Sequence, residues 1–325
     1  MPLDWSPLVA FVHRHHRFLL TTHVRPDCDG LGSMLALGEA LEALGKQVVR
    51  VIPSPMPPKY GFLDPTGVVE VFAPSARYRD CDAIIVLDTG TWNQLADVGP
   101  FVRESPAEKV VIDHHRTQDD LGAARFVDVT AEATGRLAHE AIAALGVPLT
   151  KTMAHHLFAA VATDTGWFRH PNATKPTFYL AGDLVGEGAE LTPLHEELYE
   201  RDTLERLKLK ARVLDRVTTA AGGRVAYSWV RLADFPETGA IPPDTEDMIN
   251  EYNLPGAEVR LFFVEQAGGA VKVSFRARRA DVSKLAEQFG GGGHRLASGA
   301  TVPGPLAEAR ERVLAAAAAA VELLR

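Results

Sequence analysis

Lys109-Val110-Val111-Ile112-Asp113-His114-His115 is a short β-branched run that stops on a carboxylate and two adjacent imidazoles. Similar acidic stops recur in three other places. Phe18-Leu19-Leu20-Thr21-Thr22 leads into His23-Val24-Arg25-Pro26-Asp27-Cys28-Asp29-Gly30. Ile84-Ile85-Val86-Leu87 ends at Asp88, and Ala159-Ala160-Val161-Ala162-Thr163 leads to Asp164. Apolar runs this short, without strict alternation, predict strands buried on both faces of a parallel sheet. Residues 18–22, 48–52, 68–72, 83–87 and 109–112 read as such strands, and residues 31–44 as a helix closed by Gly45. The βαβ rhythm predicts a doubly wound, mostly parallel α/β domain, with the four acidic stops gathered along one edge of its sheet.

From residue 132 the pattern turns helical, over 132–145, 152–163, 176–185 and 194 to about 219, with the charged stretch 203–216 as a connecting arm. The period then changes again. Strands are expected at 224–230, 259–264 and 271–276, helices at 245–252 and 282–289, and a last helix from 305. A length of 325 residues predicts two domains: the first over 1–190, a helical linker over 191–221, and a smaller α/β or α+β domain over 222–325. Only two cysteines occur, Cys28 and Cys81, so no disulfide framework is implied. The N-terminus lacks a signal-peptide pattern, and no window approaches the roughly 18 apolar residues of a membrane span. A soluble, cytoplasmic protein is expected. The formal charge of −8 argues against a long nucleic-acid ligand, because proteins that grip polymers neutralise many phosphates with a basic surplus. A substrate with one to a few phosphates fits better.

His23, Asp27, Asp29, Asp88, Asp113, His114 and Asp164 form a donor set of carboxylates with a minority of imidazoles and no thiolate. Such a set suits Mn²⁺ or Mg²⁺ rather than structural zinc, and several carboxylates ionise side by side only with a compensating cation. Singly, an aspartate at a strand end is ordinarily a helix cap or turn former. His15-His16 and His155-His156 read as surface pairs, and Cys28 as a spacer. The constellation carries the metal reading, not any one member. The second domain has its own signal in Phe289-Gly290-Gly291-Gly292-Gly293-His294-Arg295-Leu296-Ala297-Ser298-Gly299. Successive glycines let backbone N–H groups approach a phosphate, and His294, Arg295 and Ser298 add donors; the plain alternative is a flexible turn. Alternation from Val271 places Lys272, Ser274, Arg276 and Arg278 on one strand face and Val271, Val273 and Phe275 on the other.

Taken together, HVRPDCDGLGS, VLDTG, VIDHH, ATDTGWFRHPNAT and GGGGHRLASGA, in that order, resemble the DHH phosphoesterase superfamily. More narrowly, they are similar to its short-oligoribonuclease and pAp-phosphatase branch, the nano-RNases, which join a DHH domain to a DHH-associated substrate domain. The resemblance spans nearly the whole chain. It implies two Mn²⁺ ions (Mg²⁺ is also admitted), one held by His23, Asp27 and Asp88, the other by Asp29, Asp88, His114 and Asp164. It implies attack of a metal-activated water on phosphorus, with His115 at the scissile phosphate and Asp113 orienting the histidine pair. Gly291, Gly292, Gly293, His294 and Arg276 would hold the substrate from the second domain, with Arg169 and His170 as further contacts. The implied substrates are RNA pieces of about two to five nucleotides and 3′-phosphoadenosine 5′-phosphate. Linear dinucleotides (pApA, pGpG) or single-stranded DNA are the alternatives within the enzyme class, and a non-catalytic nucleotide-binding module lies outside it. The resemblance also admits a homodimer. One departure stands out: many relatives carry an asparagine shortly after the paired histidines, where this chain reads Arg116-Thr117-Gln118.

Overall fold

A computed structural model describes residues 3–323. The chain divides into two compact units, Met1–Arg201 and Asp202–Arg325. The first is built on six strands: β1 (Arg17–Thr21), β2 (Gln47–Ile52), β3 (Val69–Val71), β4 (Ala83–Leu87), β5 (Glu108–Asp113) and β6 (Ala124–Val127). All pair in parallel, in the order β3-β2-β1-β4-β5-β6. The doubly wound parallel sheet expected from the short apolar runs is therefore present, with β6 as a strand that the sequence pattern did not suggest. Its exposed positions Ala124 and Arg125, the second of them charged, suit an edge.

Strand residues alternate between two cores. Phe18, Leu20, Ile85, Leu87, Val110 and Ile112 face one layer, where the helices Cys28–Ala43, Thr134–Ala144 and Lys151–Asp164 pack. Leu19, Val51, Ile84, Val86 and Val111 face the other, closed by Tyr78, Leu95, Val98 and Val102. Both faces are buried, which is why the strands read as continuous apolar runs. The Ala159–Thr163 stretch belongs to the helix expected over 152–163, and only its grouping with the strand-end acidic stops is corrected. It is the end of the helix Lys151–Asp164, so Asp164 leaves a helix and not a strand. Periodicity alone does not separate a wholly buried helix from a buried strand, and this helix is buried from Met153 to Ala162 almost without interruption. His156 is likewise no surface residue: it is buried, with Nε2 donating to the Leu63 carbonyl at 2.9 Å.

The second unit carries β7 (Thr218–Ala220), β8 (Val225–Val230), β9 (Val259–Gln266), β10 (Ala270–Ala277), β11 (Gly292–His294) and β12 (Ala297–Pro303). They form a mixed sheet in the order β11-β12-β10-β9-β8-β7, antiparallel except for the β8–β9 pair. The helices Val282–Glu287 and Leu306–Glu322 cover one face, against Val271, Val273 and Phe275. On the other face, Leu209 and Val213 of the helix Leu204–Asp215 pack with Ala226, Val230 and Phe262. The continuous helix expected from 194 to about 219 is instead two, Leu191–Tyr199 and Leu204–Asp215. Thr203, whose side chain accepts from the Arg206 N–H, caps the start of the second. Nor does a helix form over 245–252. Asp247 takes a left-handed conformation (φ 61°), which interrupts the segment between the single turns Pro242–Thr245 and Met248–Asn250. Among the described residues, no helix is long and apolar enough to cross a membrane.

Asp234 is wholly buried and ties the second unit together. Its carboxylate accepts from Arg216, from Arg212 at 3.1 Å, and from Arg231 through both side chain (3.0 Å) and backbone (2.7 Å). Burial raises its pKa, but the Arg216 and Arg231 contacts outweigh that and hold it well below the ordinary carboxylate range. A depressed folded pKa contributes stability above the unfolded value near 4, and loses it as pH falls toward the folded one. Asp234→Asn should therefore destabilise the second unit by about 2 kcal/mol at neutral pH. It should also flatten the loss of stability below about pH 4, read by urea titrations across pH.

Candidate metal centre

In the first sheet the winding reverses between β1 and β4, and the crevice outside the strand ends at such a switch point is where open α/β sheets bind ligands. Five segments deliver their polar side chains there: the β1 exit (His23, Asp27, Asp29), the β4 exit (Asp88), the β5 exit (Asp113, His114, His115), the start of the helix at Thr134, and the end of the helix at Asp164. Asp27 caps the helix Cys28–Ala43, its Oδ1 accepting from the Asp29 and Gly30 N–H groups at 3.0 and 3.1 Å. Asp29 lies inside the first turn of that helix. It is held from across the fold, Oδ2 accepting from Thr134 N–H and Oδ1 from Gly135 N–H, both at 2.8 Å. The N-terminus of the helix Thr134–Ala144 is thereby capped by a carboxylate from another element, which satisfies otherwise orphaned donors and suits the positive end of the helix dipole.

Asp88 directly follows β4 with φ 61°. A left-handed backbone is costly for a residue with a Cβ, and such strain is characteristic of functional positions. Its Oδ1 accepts from the Thr134 hydroxyl at 2.9 Å. Thr134 thus touches two of the clustered carboxylates. The sequence reading passed it over; the only hint was a helix beginning at Thr134-Gly135 after an alanine with no capping side chain of its own.

The two histidines expected to bind metal share one arrangement. His23 Nδ1 lies 3.1 Å from the Val24 carbonyl, and His114 Nδ1 lies 3.2 Å from the Ala131 carbonyl. A carbonyl only accepts, so Nδ1 carries the hydrogen in each ring and Nε2 is the free lone-pair nitrogen of the neutral form. His23 Nε2 faces Asp88 at 3.4 Å and Asp27 at 3.5 Å. His114 Nε2 stands 3.7 Å from each of Asp29, Asp88 and Asp164. These gaps are longer than a good hydrogen bond and leave the donors converging on shared space. The groups His23–Asp27–Asp88, Asp29–His114–Asp164 and Asp88–His114–His115 each bring their ligand atoms within 4.8 Å of one another. His115 differs from the other two. Its Nδ1 is 2.8 Å from Asp113 and 3.7 Å from Asp88.

The electrostatics also ask for a cation. Burial, and then the charges of Asp88, Asp164 and Asp27, push the Asp29 carboxyl well above the usual range. Burial first, with Asp88 and Asp27 adding to it against His114, raises Asp164 to about 7. Asp27 goes the other way: burial opposes its ionisation, yet His23 and two backbone N–H groups bring it to about 2. His115, disfavoured as a cation by burial, is lifted to about 9 by Asp113 and Asp88. Carboxylates held against one another, with imidazole lone pairs aimed among them and no thiolate, fit a hard divalent cation.

The second-unit candidates lie on or beside β10, β11 and β12. Arg276 and Ser274 line a cavity of about 190 Å³ together with Lys272, Thr245, Glu246 and Asp247. A Cβ on Gly291 would collide with the Gly299 carbonyl, and Gly293 adopts φ 138°, so internal packing accounts for both glycines. Gly292 faces open space. His294 ends β11, and its side chain lies outside the described residues. Ser298 is buried in β12, while Arg295 is exposed and donates to the Arg279 carbonyl at 2.9 Å. In the first unit, Arg169 and His170 are exposed, and Arg169 Nε donates to the Gly166 carbonyl at 2.7 Å.

Both units have counterparts among known protein families. Residues 17–161 match the DHH family N-terminal domain, and residues 222–323 match the DHHA1 domain. The chain is 33% identical to the bifunctional oligoribonuclease and PAP phosphatase NrnA of Thermus thermophilus, over 91% of this chain and 88% of that protein. It is 28% identical to the protein of the same name from Bacillus subtilis, over 91% and 93%. A crystal structure of an exopolyphosphatase-related protein from Bacteroides fragilis shares the fold, with a TM-score of 0.90 at 22% identity over 95% of both chains. The exonuclease RecJ bound to manganese shares it more distantly, with a TM-score of 0.55 at 16% identity over 98% of this chain and 95% of that one. This chain belongs to the DHH family.

Because Asp29 and Asp164 hold protons that the unfolded chain would release, their contribution to metal-free stability falls as pH rises from about 4 to 7. A divalent cation must displace those protons. Mn²⁺ should therefore raise the melting temperature more at about pH 7.5 than at about pH 5.5. Asp164→Asn should stabilise the metal-free protein and shrink the Mn²⁺-induced rise, both read by thermal denaturation.

Proposed function

We propose that this chain is a metal-dependent phosphoesterase. In this reading it releases mononucleotides from RNA pieces a few nucleotides long and dephosphorylates 3′-phosphoadenosine 5′-phosphate to AMP. The observation that carries the reading is the meeting of Asp29, Asp88 and Asp164 around His114 Nε2, each 3.7 Å from it, from four segments remote in sequence. The names borne by the Thermus and Bacillus relatives support the choice of substrates, and the −8 net charge supports short ones over polymers.

His23, Asp27, Asp29, Asp88, His114 and Asp164 are the proposed ligands of two divalent cations, Mn²⁺ or Mg²⁺. Bound there, such ions supply Lewis acidity toward a phosphoryl oxygen and lower the pKa of water. The chain's own residues do the rest. Thr134 and Gly135 fix the rotamers of Asp29 and Asp88. Asp113 holds His115 by Nδ1, and the charge this places on the ring favours an anionic phosphoryl group beside it. The β10 face bearing Lys272, Ser274 and Arg276, together with Gly292, is the proposed substrate-binding surface of the second unit, with Arg295 and Ser298 as nearby donors.

Asp88→Ala and His114→Ala should abolish Mn²⁺-dependent turnover in a panel of pAp, pApA, pGpG, an RNA pentamer and long single-stranded DNA. The wild type should be fastest on the short RNA and pAp. Fastest turnover of the long DNA would instead identify a single-strand exonuclease, and nucleotide binding without turnover would identify a binding module. Within the glycine run, Gly291→Ala should destabilise by about 1–3 kcal/mol through overpacking. Gly292→Ala should leave the melting temperature unchanged and raise KM several-fold; an unchanged KM would remove β11 from the substrate surface.

A further inference from the structure

Gln118 occupies a place that the proposed chemistry has not yet used. Its Nε2 donates to Asp113 Oδ2 at 2.5 Å and to the His115 carbonyl at 3.1 Å. Both of its partners are acceptors, so the amide nitrogen must face them. Asp113 is then engaged on both oxygens: Oδ2 by Gln118, and Oδ1 by the His115 backbone N–H at 3.1 Å and ring Nδ1 at 2.8 Å. A carboxylate held on both oxygens has no rotamer freedom left, and the imidazole bonded to it inherits that order.

The arrangement carries two local penalties. Gln118 Oε1 is buried without a hydrogen-bond partner among the described residues, so its desolvation is uncompensated. The amide also lies directly over Gly90, where any Cβ would overlap its oxygen, carbon and nitrogen alike. Backbone pairing fixes that proximity: Gly90 and Gln118 form a parallel bridge, and the Asp119 N–H donates to the Gly90 carbonyl at 2.8 Å. Gly90 follows Asp88 by two residues, so the contact joins the β4 exit to the β5 exit. A residue serving only to fill space would be apolar and would leave no orphaned oxygen. An asparagine at 118 falls short of Asp113 by about one C–C bond, roughly 1.5 Å.

We propose that Gln118 is a positioning residue that aims His115 through Asp113, and that Gly90 is a glycine to make room for its amide. The proposal rests on His115 acting at the substrate phosphate, as in the function proposed above. The test compares Gln118→Met, which keeps the length and loses the donor, with Gln118→Asn, which keeps the donor and loses the reach, and with Gly90→Ala, which evicts the amide. Each should lower kcat on the RNA pentamer by about tenfold to a hundredfold, with KM, Mn²⁺ affinity by calorimetry and melting temperature nearly unchanged. Gly90→Ala combined with Gln118→Met should be no worse than either alone, because the two remove one interaction.

A second readout needs no activity. In ¹⁵N spectra of the metal-free protein, the His115 ring should give one sharp set of signals in the wild type, and a shifted or broadened set in all three variants. Unaltered ring signals in Gln118→Met would overturn the proposal, as would a fall in Mn²⁺ affinity that accounts for the whole loss of kcat. A wild type inert toward every substrate would instead overturn the proposed function, and the ring spectra would still decide the role of Gln118.

Discussion

Four carboxylates, those of Asp27, Asp29, Asp88 and Asp164, are held at the end of one sheet against their mutual repulsion, and most of the first unit is arranged around that constraint. The groups that hold them are rigid. Asp27 is pinned by the first turn of its own helix, Asp29 by the first turn of another, and Asp88 by a hydroxyl at the start of that same second helix. The backbone N–H groups at helix starts are fixed donors with partial positive charge, so they stabilise anions without bringing a titratable cation into the centre. The sheet does the remaining work. Its two buried faces fix the strand ends, and the reversal of winding between β1 and β4 opens the space into which the side chains project.

The parts of this arrangement that the sequence reveals are those with a local signature. Asp88 and Asp113 to His115 stand at the ends of β-branched runs, and the strands are where those runs predict them. Asp164 is brought to the same centre from the end of a helix that the pattern over 152–163 predicts, although the short apolar run before it resembles those of the strands. Thr134 and Gln118 act through contacts that span 46 and 5 residues of sequence respectively. Their residue types are ordinary for a helix start and a loop, so nothing near them in the chain marks their partners. Which donor meets which carboxylate is a property of the packed layers, and only the layers display it.

In the second unit the limits of sequence pattern are different in kind. Alternation along β10 predicts its two faces correctly, with Val271, Val273 and Phe275 inward and Lys272 outward. The glycine run hid two strands. β11 and the first half of β12 are built from Gly, His, Ala and Ser, which lack the β-branched bulk that announces a strand; Thr301 and Val302 come only near the end of β12. The left-handed Asp247 broke a predicted helix for the converse reason: composition there favours a helix, and one backbone conformation forbids it.

The left-handed backbone at Asp88 has a bearing on descent. Glycine relieves that geometry, so a copy of this gene released from selection for hydrolysis would gain robustness by acquiring it. The position is therefore a diagnostic for lineages in which the scaffold has outlived its chemistry.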